Sequence, residues 1–172
     1  DPLLEQIAYP LPNLHWRAPR RQEPAIAAWL PRLLANAVAH DQEPLEPTRD
    51  LYSDTINSAA GRLTEALLLD IEHFRQNEEP VPPALIGSMT NAAGAAGRQG
   101  AFARAALIHA AGFVTTIEGQ QVEPILGAAM QGEGHEALAL RAVLVSDTRL
   151  SAAASRAFPR FILQGVHELA AR

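Results

Sequence analysis

Apolar residues recur at intervals of three and four along most of this chain, and this spacing constrains its fold more than any other feature. After Pro24, for example, Ile26, Trp29, Leu30 and Leu33 follow it. Because an α-helix turns once in about 3.6 residues, residues with this spacing line up on one face. No alternating run of strand length competes with the pattern. The spacing therefore predicts an all-α protein.

The composition agrees with one helical domain. The chain has 172 residues, of which 48% are hydrophobic, 19% charged and only 5% aromatic. A chain of that length buries roughly 70% of its unfolded surface, so it needs no disulfide or metal to fold. The apolar fraction excludes a disordered tail, and the scarcity of aromatic residues favours helices over a β-sandwich.

Two residue types are missing, and their absence removes several chemistries. The chain has no cysteine, which excludes thiol catalysis, disulfides and cysteine-bound zinc. All 14 basic residues are arginine, so neither a Schiff-base lysine nor a P-loop lysine is present. The net charge of -5 makes nucleic acid an unlikely partner, because phosphate binding depends on clustered cations.

About eight helices are predicted, joined by short loops in a HEAT-like stack of antiparallel helical hairpins, or α-solenoid. Ser58 is the expected N-cap of the clearest helix, whose apolar stripe includes Leu67. Pro31 should kink or divide an earlier helix. A long helix from about Ala101 to Glu118 should be the central buried element, because it is apolar on nearly every side.

The proline-rich residues 1–45, with one kinked helix, are predicted to form an N-terminal segment, and residues 46–172 the helical stack. No segment is apolar for long enough to span a bilayer, so we expect a cytoplasmic protein without membrane contact. The chain begins at Asp1 and not at methionine, and we expect it to be a piece of something longer.

Three residues on one predicted helix offer a possible metal site. Asp70, His73 and Asn77 are spaced so that a helix brings them to one face. A metal-dependent enzyme using Asp70 and His73 is therefore one alternative function. The sequence favours a solvated helix edge instead, because no HExxH motif or comparable set supplies the other ligands.

Several other polar residues allow both a structural and a functional interpretation. Gly94, Gly97 and Gly100 with Arg98 fit either a turn between helices or a loop that cradles phosphate, and we favour the turn because no strand precedes them. His109 lies on an apolar face, where a histidine usually satisfies one hydrogen bond. The loop that includes Gly132, Gly134, His135 and Glu136 is interpreted as a helix end and not as an acid-base pair.

A short basic and aromatic segment carries the nucleic-acid alternative. Residues 15–21 contain Trp16, on which a base could stack, with Arg17, Arg20 and Arg21 to hold phosphates. So few residues on an acidic chain make this reading the weaker one.

Two stretches resemble a known kind of protein. Residues 56–67, INSAAGRLTEAL, resemble the INSxxGxxxEAL helix start of degenerate HEAT-like regions at the C-terminal ends of large bacterial proteins. Residues 147–151, DTRLS, are similar to an xPRLS turn near the end of such regions. The resemblance covers about residues 57–172. It implies a helical scaffold or sensor part, which often follows a sirtuin-like or nucleotidase domain in proteins thought to act in defence against phage.

These observations together predict a non-catalytic scaffold or sensor that mediates protein-protein interaction or assembly within a larger bacterial protein. No residue is assigned a catalytic, cofactor-binding or metal-binding role, and no cofactor is expected. A protein is the expected partner, and the sequence leaves its identity and the oligomeric state open.

Overall fold

The computed structural model describes residues 24–48, 50–146 and 151–171 together with Gln6 and Ala8, with the side chains of residues 24–28 excepted. Within these ranges the chain is all helical, as the apolar spacing predicts, and has no strand. Ten helices follow one another: α1 (Pro24–His40), α2 (Leu51–Ile56), α3 (Ala59–Gln76), α4 (Pro83–Gly94), α5 (Gly97–His109), α6 (Ala111–Val114), α7 (Val122–Ala129), α8 (His135–Ser146), α9 (Ala152–Ala157) and α10 (Pro159–Ala170).

Serine side chains cap two of these helices. Ser58 accepts a hydrogen bond from the backbone N–H of Gly61 at 3.0 Å, which confirms the predicted N-cap of α3. Ser151 accepts one from the backbone N–H of Ala154 at 3.1 Å and caps α9 in the same way. Each bond satisfies an N–H group that has no partner inside its own helix.

The corner between α2 and α3 explains the local sequence INSAAG. The Asn57 amide donates to the carbonyl oxygen of Ser53 at 2.8 Å, and the Ser58 hydroxyl donates to that of Thr55 at 2.9 Å. A Cβ atom at Gly61 would overlap the same Thr55 carbonyl. The two helices can therefore meet this closely only because residue 61 is glycine.

Two details differ from the expectations. The helix predicted over residues 101–118 ends at His109, and α6 follows it after Ala110. After this break, Gly112 lies close to the side chain of Ser151, where α6 packs against α9. The helices α2 and α6 were not predicted, because six and four residues are too few to show a period. Pro31 lies inside α1 and does not divide it.

The contacts between helices form two rows. A first row consists of α1, α4 and α7, and a second row of α3, α5, α8 and α10, each helix contacting the next in its row. The rows also contact each other, since α1 packs on α3, α4 on α5 and α7 on α8. The prediction that residues 1–45 and 46–172 are separate units stays a prediction, although α1 packs on three helices of the second unit.

The helix α5 lies at the centre of this arrangement. It contacts helices of both rows as well as α2, and residues 100–108 are all buried. The expectation of a central buried helix, made for residues 101–118, is therefore confirmed for residues 101–108. Leu63, Leu67 and Ile71 of α3 are fully buried against this centre, so the predicted apolar stripe of α3 is core. None of the described helices combines the length and the apolar character needed to cross a membrane.

Candidate functional site

An open groove of about 410 Å³ lies where the end of α4, the helix α7 and the start of α8 meet. Most of its lining residues have small side chains, so backbone atoms come close to its surface. One ion pair, between Arg104 and Glu136, also lines it. The residues that line the groove are Ala93, Gly94, Arg104, Ile125, Ala129, Gln131, Gly134, Glu136 and Ala137.

Arg104 extends from the central helix α5 and is only 7% exposed. Its Nε and Nη2 atoms donate to Oε1 of Glu136, at 2.6 and 2.5 Å. Its Nη1 atom donates to the carbonyl oxygens of Ala93, at 3.2 Å, and of Ala95. These carbonyls end α4, where backbone oxygens lack partners within the helix and the helix dipole is negative. Arg104 therefore joins the end of α4 to the start of α8.

Arg141 repeats this arrangement one hairpin later and is 2% exposed. Its Nη1 atom donates to the carbonyl oxygens of Met130 and Gly132, at 2.5 and 2.9 Å, just beyond the end of α7. Its Nη2 and Nε atoms bind the two carboxylate oxygens of Glu168 on α10, at 2.6 and 3.1 Å. Two parallel charge-assisted bonds of this kind fix orientation as well as distance.

The two arginines make equivalent contacts. They are 37 residues apart, and each binds carbonyls 11 and 9 residues before it. Sequence reasoning found no repeat and missed both arginines. The sequence did contain a signal. In both places an alanine directly follows the arginine and a leucine stands three residues after it, which gives the pairs Arg104 with Leu107 and Arg141 with Leu144.

The groove is better suited to binding than to acid-base chemistry. Its guanidinium and its carboxylate are bound to each other, and the guanidinium is also bound to the backbone. A general acid or base must be able to exchange a proton with a substrate, whereas the hydrogen bonds of this guanidinium go to protein acceptors. Gln131 is exposed and Glu136 partly so, and they give the groove polar groups that can form hydrogen bonds.

The residues proposed for a metal lie on α3 and at its end. Asp70 is buried, and the Asn77 amide lies 3.3 Å from the His73 Nδ1 atom and donates to the His73 carbonyl oxygen at 2.7 Å. In the described part of the chain, no three histidine or acidic side chains are grouped so that they could hold a metal ion.

The glycine-rich segment is a turn between two helices, as favoured from the sequence. Gly97 begins α5 with a φ of +74°, and a Cβ atom there would overlap the backbone of Asp41 and Gln42. The Arg98 guanidinium binds the Asp41 carboxylate at 2.8 Å from Nε, and the Arg98 N–H donates to the Glu43 carbonyl oxygen at 2.6 Å. Arg98 is therefore bound to the acidic linker between α1 and α2.

His109, for which one satisfied hydrogen bond is expected, is the last residue of α5. Its ring stacks on Tyr52 of α2, with ring centroids 3.9 Å apart. Its Nδ1 atom is buried without a hydrogen-bond partner among the described residues. The basic aromatic residues 15–21, and residues 147–150 of the DTRLS turn, lie outside the described residues.

Among known proteins, the chain is similar to "Uncharacterized protein y4cA" of Sinorhizobium fredii. The two are 29% identical over 175 residues, which cover 98% of this chain and 14% of that protein. The chain thus spans a small fraction of the length of the relative it matches. No family model and no solved structure matches it.

Proposed function

We propose that this region is a non-catalytic helical scaffold or sensor, which mediates protein-protein interaction or assembly within a larger bacterial protein. Its two rows of helices would form a degenerate stack of HEAT-like hairpins. The observation that carries the proposal is the repeated arginine: Arg104 and Arg141 each join the end of one helix to a carboxylate on another.

This repeat supports a scaffold because the buried charge of each arginine serves the packing of helices against one another. A buried arginine is costly unless its donors are matched, and both of these donate to two carbonyls and a carboxylate. Repetition at 37 residues is typical of stacked helical hairpins, in which each unit contacts its neighbours. The rhizobial relative adds support, since the similar region there is part of a much longer protein.

The groove beside Arg104 is the proposed contact site for a protein partner. Its small side chains would allow a partner segment to approach closely, and Gln131 and Glu136 would supply hydrogen bonds. A photo-crosslinking amino acid at position 131, introduced in the bacterium that makes the protein, tests this contact. We expect one defined protein to be crosslinked.

The matched control carries the same crosslinker at Glu118, which is exposed and does not line the groove. The product should be missing there, and Ala129→Arg, which fills the groove, should remove it from position 131. Equal crosslinking at both positions, or crosslinking that survives Ala129→Arg, would contradict the proposal.

The two alternative functions predict other results. A nucleic-acid binder would give a salt-dependent gel shift that alanine at Arg17, Arg20 and Arg21 abolishes. A metal enzyme would retain stoichiometric metal on purification and lose it when Asp70 and His73 are replaced. Either result would replace the scaffold proposal.

A further inference from the structure

The last helix leaves one apolar face uncovered. Leu163, Val166 and Leu169 of α10 are 74%, 54% and 44% exposed and lie along one side of the helix. The opposite side is packed: Phe161 and Gly165 are buried, and Glu168 binds Arg141 of α8. We call the exposed row of three the outer face of α10.

A terminal helix of a repeat protein is normally polar on its outer side, because that side faces water. The outer face of α10 has the composition of an internal helix instead. Leu140 and Val143 of α8, in contrast, are buried between neighbouring helices. The outer face of α10 therefore resembles a surface between two units of the stack and not a cap.

Ion pairs connect successive helices of the second row. Along that row, Arg104 of α5 binds Glu136 of α8, and Arg141 of α8 binds Glu168 of α10. The arginine of α10 is Arg160, which is exposed in the first turn of that helix, lies over the Phe161 ring, and pairs with no carboxylate among the described residues.

We propose that the outer face of α10 binds a further amphipathic helix of the same polypeptide, which adds the next member of the second row and carries an acidic side chain for Arg160. The occupant is assigned to the same polypeptide because the rhizobial relative is far longer than the matched region, so that residues outside these 172 could supply the helix. The inference rests on the proposed stack of hairpins.

These 172 residues contain no cysteine, so a thiol can be introduced at one chosen site. Leu163→Cys places it on the outer face, and its reaction with a maleimide is followed by mass spectrometry of the peptide that contains residue 163, in the 172-residue chain and in the complete product of the gene. We expect free reaction in the 172-residue chain. In the complete product the reaction should slow by about tenfold or more, because it then requires local opening of the helices.

Glu118→Cys is the control. Glu118 is exposed in the loop between α6 and α7 and not on α10, so its thiol should react equally fast in both proteins. Equal reactivity of Leu163→Cys in both proteins would overturn the inference. Protection in the 172-residue chain that grows with concentration would also overturn it, because the occupant would be a second copy.

A charge variant tests the acidic partner. Arg160→Glu should speed the reaction of Leu163→Cys in the complete product and leave it unchanged in the 172-residue chain. No change in the complete product would overturn the assignment of an acidic side chain. None of these results depends on the groove. If a crosslinker at position 131 gives no product while Leu163→Cys is protected in the complete product, the proposed contact with a protein partner is contradicted and this inference stands.

Discussion

At the scale of single residues, the interior tolerates a buried guanidinium where hydrogen-bond acceptors surround it. Arg141 is almost as deeply buried as Leu140 and Leu144 of the same helix, and its guanidinium binds one carboxylate and two carbonyl oxygens. The apolar stem of an arginine packs like a hydrophobic residue while its head forms these bonds. The position therefore requires both the length and the planar donors of arginine.

Replacing Arg141 should be among the most damaging single changes. Arg141→Met leaves Glu168 and two carbonyls without their partner, and we expect a loss of about 3 kcal/mol in the free energy of unfolding, measured by urea denaturation. This is the lower end for a broken buried pair, because the Glu168 side chain is 26% exposed and remains partly hydrated.

Arg156→Met is the control, since Arg156 is exposed, and it should change stability by no more than about 0.5 kcal/mol. The double variant Arg141→Met with Glu168→Leu should recover part of the loss, because the uncompensated carboxylate is removed. Similar stabilities for Arg141→Met and Arg156→Met would show that the buried bonds are unimportant.

Leu67 tests the predicted core of α3. It is fully buried, and Leu67→Ala should lower the free energy of unfolding by about 2 to 5 kcal/mol through lost burial and the cavity left behind. Leu163→Ala makes the same chemical change at a site that is 74% exposed, and should cost far less in the 172-residue chain. A thermal melt in which the two variants behave alike would contradict the assignment of Leu67 to the core.

At the scale of helices, close approach decides which glycines are required. Gly61 lies in the first turn of α3, against the Thr55 carbonyl of α2, whereas Gly87 lies inside α4 with nothing within 4 Å of a Cβ atom. The same substitution should therefore have opposite effects at the two sites.

Gly61→Ala should destabilise the protein by about 1 to 3 kcal/mol, because the added methyl group forces α2 and α3 apart. Gly87→Ala should stabilise it by about 0.5 to 1 kcal/mol, since alanine is the better helix former. Both are measured by urea denaturation at neutral pH. A stabilising Gly61→Ala would show that the α2–α3 corner is looser than described.

The link between α1 and the α4–α5 turn is sensitive to pH. The hydrogen bond from Arg98 is the largest cause that lowers the pKa of Asp41 below its usual 3.8. The charged carboxylate is thus favoured in the folded state, so its contribution to stability is present above about pH 4 and is lost as the pH falls through the lowered pKa.

Asp41→Asn should cost about 0.2 to 1 kcal/mol at pH 7, because the pair is partly exposed to solvent. The difference in melting temperature from the wild type should shrink as the pH is lowered below 3.8. Glu133→Gln changes an exposed carboxylate in the loop before α8 and serves as the control. A difference between Asp41→Asn and the wild type that is constant from pH 7 to pH 2.5 would contradict this role of the ion pair.

At the scale of the whole molecule, burial is distributed unevenly along the second row. The helix α5 is enclosed by helices on several sides, whereas α10 is covered on one side only. Local opening costs least where few apolar contacts are lost.

Amide hydrogen exchange in the 172-residue chain should therefore be slowest in α5 and much faster in α10. Mass spectrometry of the peptic fragments measures both. Equal protection of the two helices would show that the chain unfolds only as one unit, with no separate opening of its last helix.

The sequence by itself determined the helical class, most helix positions, and the core stripe that includes Leu67. Its periodicity and caps are local signals, which need only neighbours within one or two turns. The caps Ser58 and Ser151 and the turn at Gly97 were recognisable for the same reason.

Only the tertiary structure decided the roles of the charged residues. Glu136 is 32 residues from Arg104, and Glu168 is 27 from Arg141, and no local pattern specifies which carboxylate a guanidinium will meet. The break at Ala110 depends likewise on where α9 packs, and the groove exists only because the ends of three helices meet. Helix formation is governed by contacts between near neighbours, whereas these features arise from contacts between helices distant in the chain.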